Sequence, residues 1–537
     1  MSTGPTDFSS TPMPAQPAQP TPSGGSPEDW SFGNPRPRRR HAGQPPRAPK
    51  DPGSRPAAAL AWIIAVLVIG TVIFLQQFAA APAAERDPDA LLPPDPTLEI
   101  MSQVMVKLEH MLEGMPGNTN QPGNTSDLDP LRDQMLQNLD ASAFEPEDRL
   151  RLVPIEAELR GREVALDRLE LVRIDADLYP WRSDVRRERF VEDADRFEAL
   201  YIDDATPMDA DTEQAFRERH AYYADLALAR DLEDTHPDRA PLLAGGTRIL
   251  TAAIVVITIV FGGGLIGLGL LITAIILVAT GKITPRLPKP EPGGSVYFEL
   301  LPLFAGLFLV AILAIGVVQA SWIAAGNDPN DPMLWVIQAT AQWAILPLVL
   351  LWPVFRGVPL SRAYPDLGLH RGAGVFKEIL CGVAGYLAGM PLLIVAAIAT
   401  LILGVIVQLI TGSNEPPPTP AQDIASLFAS GHTLAIAMTV SLVLLWAPIL
   451  EEIVFRGGAF RHLHARMHWL LAAILTAAAF AFMHAGAIMT FPMLMTLAVV
   501  FSALRYWRGS LIAAITAHFC QNAMVTTMLL LVMPTLS

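Results

Sequence analysis

Long uncharged apolar runs alternate with charged stretches along this chain. A helix needs about 20 residues to cross the roughly 30 Å hydrocarbon layer of a membrane, and the first run, at residues 57–84, is long enough. The pattern therefore predicts an all-α, polytopic helical membrane protein. It predicts about nine spans, in or near 57–84, 249–280, 300–325, 333–355, 379–410, 434–455, 469–489, 491–504 and 511–533.

The charges that flank the first run predict its orientation. Residues 1–56 are rich in Pro, Gly and Ser and end in a basic stretch, which is typical of a disordered tail. Cations before the run and the acidic stretch after it place the N-terminus in the cytoplasm. The run begins too far from the start for a secretory signal, so we interpret it as an uncleaved anchor of a multi-pass protein of the cell membrane.

Residues 85–247 have the pattern of a soluble, acidic, helical region on the extracytoplasmic side. Apolar residues from Leu98 to Leu112 recur at helical spacing, and a second helix is predicted to begin near Pro146. A third is expected from Thr212 to Leu232. Residues 114–129 have turn chemistry and predict a loop. The region shows no catalytic constellation.

Composition narrows the function classes. The chain has 537 residues, of which 51% are hydrophobic, and a net charge of -14, so nucleic acid is not an expected partner. The expected partners are the lipid bilayer and a membrane protein or peptide substrate. The two cysteines, Cys381 and Cys520, fall inside separate apolar runs, so disulfides cannot hold the soluble parts.

Two adjacent carboxylates, Glu451 and Glu452, follow an apolar helix shortly before Arg456. Acidic groups at or inside a membrane boundary are costly and usually functional. Two further pairs follow in uncharged runs, namely Phe480 with the polar His484, and His518 with Asn522. A spacing of four residues places each pair on one helix face.

The ordered motifs EExxxR, FxxxH and HxxxN resemble those of the intramembrane proteases that include the prenyl-protein (CAAX) endopeptidases and bacteriocin-immunity proteins. The resemblance covers roughly residues 367–532. It implies that Glu451 and His484 activate a water molecule for peptide hydrolysis, and that His518 and Asn522 support the tetrahedral intermediate. We expect Glu452 to hold Arg456 and Phe480 to shape the site by packing.

Zinc is an alternative chemistry, since Glu451, His484 and His518 offer three ligands and leave a position open. The HExxH helix of many zinc proteases is absent, and we favour an enzyme without a cofactor. Two other classes stay open: a catalytically silent binding or immunity protein, and a transporter. The expected organisation is a tail at 1–56, an anchor at 57–84, the outer region at 85–247, membrane helices at 248–365 and the protease core at 366–537.

Overall fold

A computed structural model describes residues 47–78, 89, 91–92, 94–114, 129–181, 183–202, 208–328, 331–411, 427, 431–484 and 487–532. About four-fifths of these residues lie in helices, which confirms the predicted all-α class. In the described ranges, the sole strands are Arg47–Ala48 and Lys289–Pro290, which form a two-residue parallel pair. Most of the tail and most of the predicted loop at 114–129 lie outside the described residues.

Seven helices in the described part of the chain are long and apolar enough to cross a membrane. They expose large apolar side chains such as Leu265, Val317 and Leu401, as a helix surrounded by lipid does. The protein is therefore a polytopic helical membrane protein. The seven helices are Arg55–Leu75, Ala240–Ala279, Leu300–Ala324, Pro332–Phe355, Val375–Val407, Thr433–His464 and Thr490–Arg508.

The sequence predicts about nine spans, and the described residues contain seven candidates. The other two predicted runs form helices that are shorter or less apolar. Residues Trp469–Phe482 form a helix of 14 residues, about 21 Å long at 1.5 Å per residue. The last helix, Ile512–Val532, has 21 residues but carries His518, Gln521 and Asn522. These polar groups lower the mean hydropathy of the helix. Two of them, His518 and Asn522, belong to the candidate site.

The region at residues 85–247, the predicted outer region, is a set of shorter helices around two apolar clusters. The helix Pro96–Glu113 and the helix start at Pro146 agree with the sequence pattern. The helix expected from Thr212 to Leu232 is divided, because Ala221 adopts a positive φ of 47° between two helices. The helices after Glu113 are Asp129–Ser142, Pro146–Arg151, Val153–Arg160, Arg162–Leu178, Asp184–Tyr201, Ala210–His220 and Tyr222–Leu228.

The first membrane helix, Arg55–Phe78, packs against the segment that follows the paired glutamates. Its Trp62 donates a hydrogen bond from Nε1 to Nε2 of His462 at 3.3 Å. Just before the helix, Asp51 receives two short bonds from the guanidinium of Arg461. Contacts across some 400 positions of sequence therefore join this helix to the segment that follows the paired glutamates.

Three consecutive glycines, at residues 262–264, lie within the long second span. A π-helical turn, Thr258–Gly262, interrupts the long second span. A Cβ built on Gly263 would lie 2.8 Å from the sulfur of Met390. The absence of a side chain lets the second span approach the long helix Val375–Thr411 closely.

Candidate active site

The paired glutamates lie on an irregular helix. Two π-helical stretches, Leu442–Trp446 and Glu452–Ala459, flank the short α-helical segment Ala447–Glu451. A π-helical turn is wider than an α-helical one and changes which carbonyls are bonded within the helix, and such turns are frequent at functional sites. Here the irregularity begins beside the site and runs through it.

Glu452 is the buried centre of the site. Its Oε1 accepts a hydrogen bond from Nη1 of Arg456 at 2.8 Å and another from Nδ1–H of His518 at 3.1 Å. The pairing with Arg456 was expected from the sequence, whereas the bond to His518 was not. Because Nδ1 of His518 is occupied, only Nε2 of that ring is available to a reacting group.

Arg456 is almost fully buried and is held on several sides. Its second terminal nitrogen donates to the carbonyl of Ala498 at 3.1 Å. Its guanidinium carbon lies 4.8 Å from the ring centroid of Phe480 and 5.3 Å from that of Phe501. A buried charge persists when it is paired and hydrogen-bonded, and the aromatic faces add a favourable cation–π contribution.

Glu451 faces the other side of the same histidine. Its Oε2 lies 3.8 Å from Nε2 of His518. This oxygen is buried and receives no hydrogen bond from any described residue. Glu451 and Glu452 therefore lie beside opposite ring nitrogens of His518. Glu452 forms an ion pair with Arg456, whereas Glu451 forms none with an arginine among the described residues.

His484 is oriented by the backbone of its own helix turn. Its Nδ1–H donates to the carbonyl of Phe480 at 2.8 Å, and its ring centroid lies 4.6 Å from that of Phe480. This bond leaves Nε2 as a proton acceptor when the ring is neutral. Phe480 also lies edge-on to His518, with 6.1 Å between the ring centroids.

Asn522 is anchored to the first π-helical stretch. Its Nδ2 donates to the carbonyl of Val443 at 2.7 Å, which uses one of its two amide hydrogens and leaves the other without a partner among the described residues. The geometry thus ties the helix of His518 and Asn522 to the glutamate helix at two points, through Glu452 and through Val443.

The seven residues singled out in the sequence are brought together unequally. Glu451, Glu452, Arg456 and His518 form one contiguous polar group, with Phe480 against it. Among the described residues, no hydrogen bond joins Glu451 to His484. Sequence reasoning missed Phe501, whose ring stacks on His518 at 5.0 Å, because a phenylalanine in an apolar helix carries no local signal of a role.

The zinc alternative finds no support in this donor set. The described residues contain no group of three or more His, Cys, Asp or Glu side chains placed to hold one ion. One of its three ligands, His484, contacts the polar group through the Phe480 ring, and Nδ1 of another, His518, is already bonded to Glu452.

Comparison with known proteins agrees with the motifs. Residues 433–524 match the family model described as type II CAAX prenyl endopeptidase Rce1-like. No curated protein and no solved structure matches the chain. The matched segment contains all seven residues of the candidate site, from Glu451 to Asn522, so this segment of the chain is similar to the CAAX prenyl endopeptidase family.

Proposed function

We propose that this protein is an intramembrane endopeptidase that hydrolyses a peptide bond of a membrane-associated protein or peptide with a water molecule activated by Glu451. The observation that carries the proposal is the different environment of the two glutamates. Glu452 is neutralised by Arg456 at 2.8 Å, whereas Glu451 forms no ion pair with an arginine or lysine among the described residues and has only His518 nearby, at 3.8 Å. A carboxylate without such a partner, beside a histidine, is suited to accept a proton from water.

In this mechanism His484 assists through Nε2. Since its Nδ1–H is committed to the carbonyl of Phe480, Nε2 can take over the proton that Glu451 removes from the water and deliver it to the leaving amine. A substrate or a water molecule has to bridge the space between Glu451 and His484. The scissile carbonyl then lies between these two groups and the helix Ile512–Val532.

His518 and Asn522 are the proposed donors to the developing oxyanion. For His518 to donate through Nε2 while its Nδ1–H donates to Glu452, the ring must carry both protons. Asn522 contributes the amide hydrogen that Val443 does not use. One such donor contributes about 3 kcal/mol in other hydrolases.

Comparing protein N-termini tests the function without knowledge of the substrate. Membranes that contain the protein, a Glu451→Gln variant or a Glu299→Gln control are incubated, and new N-termini are sequenced. Glu299 is a matched control because it is a glutamate outside the candidate site that pairs with Arg356 at 2.8 Å. We expect the same new termini with the protein and with Glu299→Gln. Termini that persist with Glu451→Gln would contradict the proposal and favour a silent binding protein or a transporter.

We further propose that the reaction needs no bound metal or other cofactor. Elemental analysis of the purified protein should find much less than one zinc per chain, and prolonged chelation should leave cleavage intact. One zinc per chain that is lost and regained together with activity would overturn this part of the proposal, because metal affinity depends on the same deprotonated ligands.

We also propose the orientation that the cations predict, with the N-terminus in the cytoplasm and residues 85–247 on the other side of the cell membrane. Reporter fusions at Gly43 and Asn118 should report opposite sides. If both report the same side, the first helix is not a span and the orientation of the site has to be reversed.

A further inference from the structure

A cavity lined by arginines lies where several helix ends and loops meet, apart from the candidate active site. Its volume is about 390 Å³. Four arginines and one aspartate are among the residues that line it: Arg286, Arg461, Arg505, Arg508 and Asp366. The catalytic proposal uses none of these side chains, so the cavity requires a separate explanation.

Most of the charges in this cavity are already matched inside the protein. Arg508 forms two bonds of 2.8 Å to Glu378. Arg461 is bonded to Asp51 at 2.8 Å. The carboxylate of Asp366 accepts a hydrogen bond from the hydroxyl of Tyr297 at 2.8 Å and forms ion pairs with Arg461 at 3.4 Å and with Arg362 at 3.6 Å.

Arg505 is different, because it is buried without a carboxylate partner. It is 1% exposed, and its terminal nitrogens donate to the backbone carbonyls of Gly509 and Asp366. Its Nε is buried and has no hydrogen-bond partner among the described residues. A guanidinium has five N–H donors, and a buried charge without a counter-ion is costly. The cavity beside it therefore favours an anion.

The walls of the cavity are built for this arginine. Gly368 has a φ of +97°, and a Cβ at this position would collide with the guanidinium of Arg505. His370 accepts a bond at Nδ1 from the amide of Gly372 and donates from Nε2 to the carbonyl of Gly509 at 2.9 Å. Burial, together with the charge of Arg505, lowers the pKa of His370, so the ring adds no charge.

Arg286 provides an open edge. It lines the same cavity but is exposed, and no carboxylate among the described residues forms an ion pair with it. An anion that enters the cavity would thus meet an exposed cation at the edge and a buried one inside. Planar guanidinium groups bind phosphate oxygens in pairs, which gives both affinity and orientation.

We propose that this cavity binds a phosphate-type oxyanion between Arg286 and Arg505. The source of the oxyanion is either the headgroup of an anionic lipid or a soluble phosphate. The site is separate from Glu451 and His518, and the proposal does not depend on proteolysis.

The test measures thermal stability of the full-length protein by intrinsic fluorescence. In one arm, inorganic phosphate is titrated into detergent-solubilised protein at constant ionic strength. In the other, the protein is compared in phosphatidylcholine nanodiscs with and without phosphatidylglycerol. A ligand that binds only the folded protein raises Tm in a saturable manner. Saturation with phosphate alone identifies a soluble source, and a rise with phosphatidylglycerol alone identifies a lipid.

The variants are Arg286→Ala and the matched control Lys282→Ala, which removes the same charge from an exposed position of the same loop but does not line the cavity. We expect the control to respond like the unaltered protein. Arg286→Ala should need at least tenfold more phosphate for half the shift, or lose most of the phosphatidylglycerol response. Equal responses of the two variants, or no saturable response to either probe, would overturn the proposal.

Discussion

Two regions of this molecule contain the same chemical grouping, a buried carboxylate bonded to a histidine and an arginine. In the outer region, Asp193 accepts bonds from Nε2 of His220 at 3.0 Å and from Arg219 at 2.7 Å. In the membrane core, Glu452 accepts bonds from His518 and Arg456. The grouping alone therefore does not distinguish a structural network from a candidate active site.

The difference lies on the far side of the histidine. His220 is fully buried, and its ring packs against Phe197 and Phe216 with centroid distances of 5.1 and 4.8 Å. His518 instead faces a second carboxylate, Glu451, at 3.8 Å. In both regions, a carboxylate that is paired with an arginine bonds to the histidine. Only His518, in the membrane core, also has a second carboxylate nearby that is not paired with an arginine. We infer that this second acid is what makes chemistry possible.

The largest expected effect is on cleavage. Glu451→Gln and His484→Ala should each reduce the cleavage rate by about 10²–10⁴-fold, the usual contribution of a general acid or base. His518→Ala should reduce it by about 10²–10³-fold, the usual contribution of one oxyanion donor. A Glu451→Gln/His518→Ala double variant should be about as inactive as either single variant, because groups that act as a unit are non-additive. The rates are measured on the substrate found by N-terminal sequencing. Multiplied losses in the double variant would show that the two residues serve separate purposes.

The second prediction compares Glu452 and Asp193, the two carboxylates that each bond to an arginine and a histidine. Glu452→Gln leaves Arg456 buried without a counter-charge and should destabilise the core by about 3–5 kcal/mol and abolish cleavage. Asp193→Asn should cost about 2 kcal/mol in the outer region, since Arg219 is partly exposed and can be hydrated. Denaturant titration and hydrogen exchange of the full-length protein measure the two effects. Loss of cleavage in a folded Asp193→Asn protein would contradict a purely structural role.

A third prediction concerns packing at the site. Phe480→Leu keeps an apolar side chain but loses the aromatic face beneath Arg456 and the contact with His484. We expect about a tenfold lower cleavage rate, equivalent to about 1.4 kcal/mol, in a protein that stays folded. Phe197→Leu in the outer region is the matched control and should leave the rate unchanged. Equal losses would indicate a general effect of aromatic packing.

The smallest expected effect is a pH dependence of the outer region. Burial lowers the pKa of His220 below its ordinary 6.5. Burial alone would raise the pKa of Asp193, but hydrogen bonds from His220 and Arg219 hold it well below 3.8. Both groups therefore bind more protons when this region is unfolded, so its stability is full above pH 6.5 and falls as the pH decreases.

Hydrogen exchange of the helices Asp184–Tyr201 and Ala210–His220, corrected for the intrinsic pH effect, should show this loss between pH 7.5 and 5. A His220→Phe variant has no titrating group at this position, so its loss should be smaller in that window. An identical pH response of the variant would show that His220 is not the group responsible.

Much of the fold could be predicted from local pattern. Apolar runs long enough to span a membrane marked the positions of seven membrane helices, and helical spacing located Pro96–Glu113 and the start at Pro146. The division at Ala221 could not be predicted, since alanine favours helices and only the surrounding contacts impose its positive φ. The two runs that are not spanning candidates carry polar groups or end early, features that a simple apolar count underweights.

The sequence by itself determined which residues form the candidate site, because three motifs in one order are informative before any folding is considered. It also indicated the family that residues 433–524 resemble and the membrane-embedded class. Only the tertiary structure decided that Glu452 holds His518 as well as Arg456, and that Glu451 stands on the other nitrogen of that ring. These contacts join helices 66 residues apart, and the π-helical turns around Glu451 alter the side-chain directions that regular helical spacing would predict. Likewise, Asp366, His370 and Arg505 line one cavity only because segments that are distant in sequence meet in the fold.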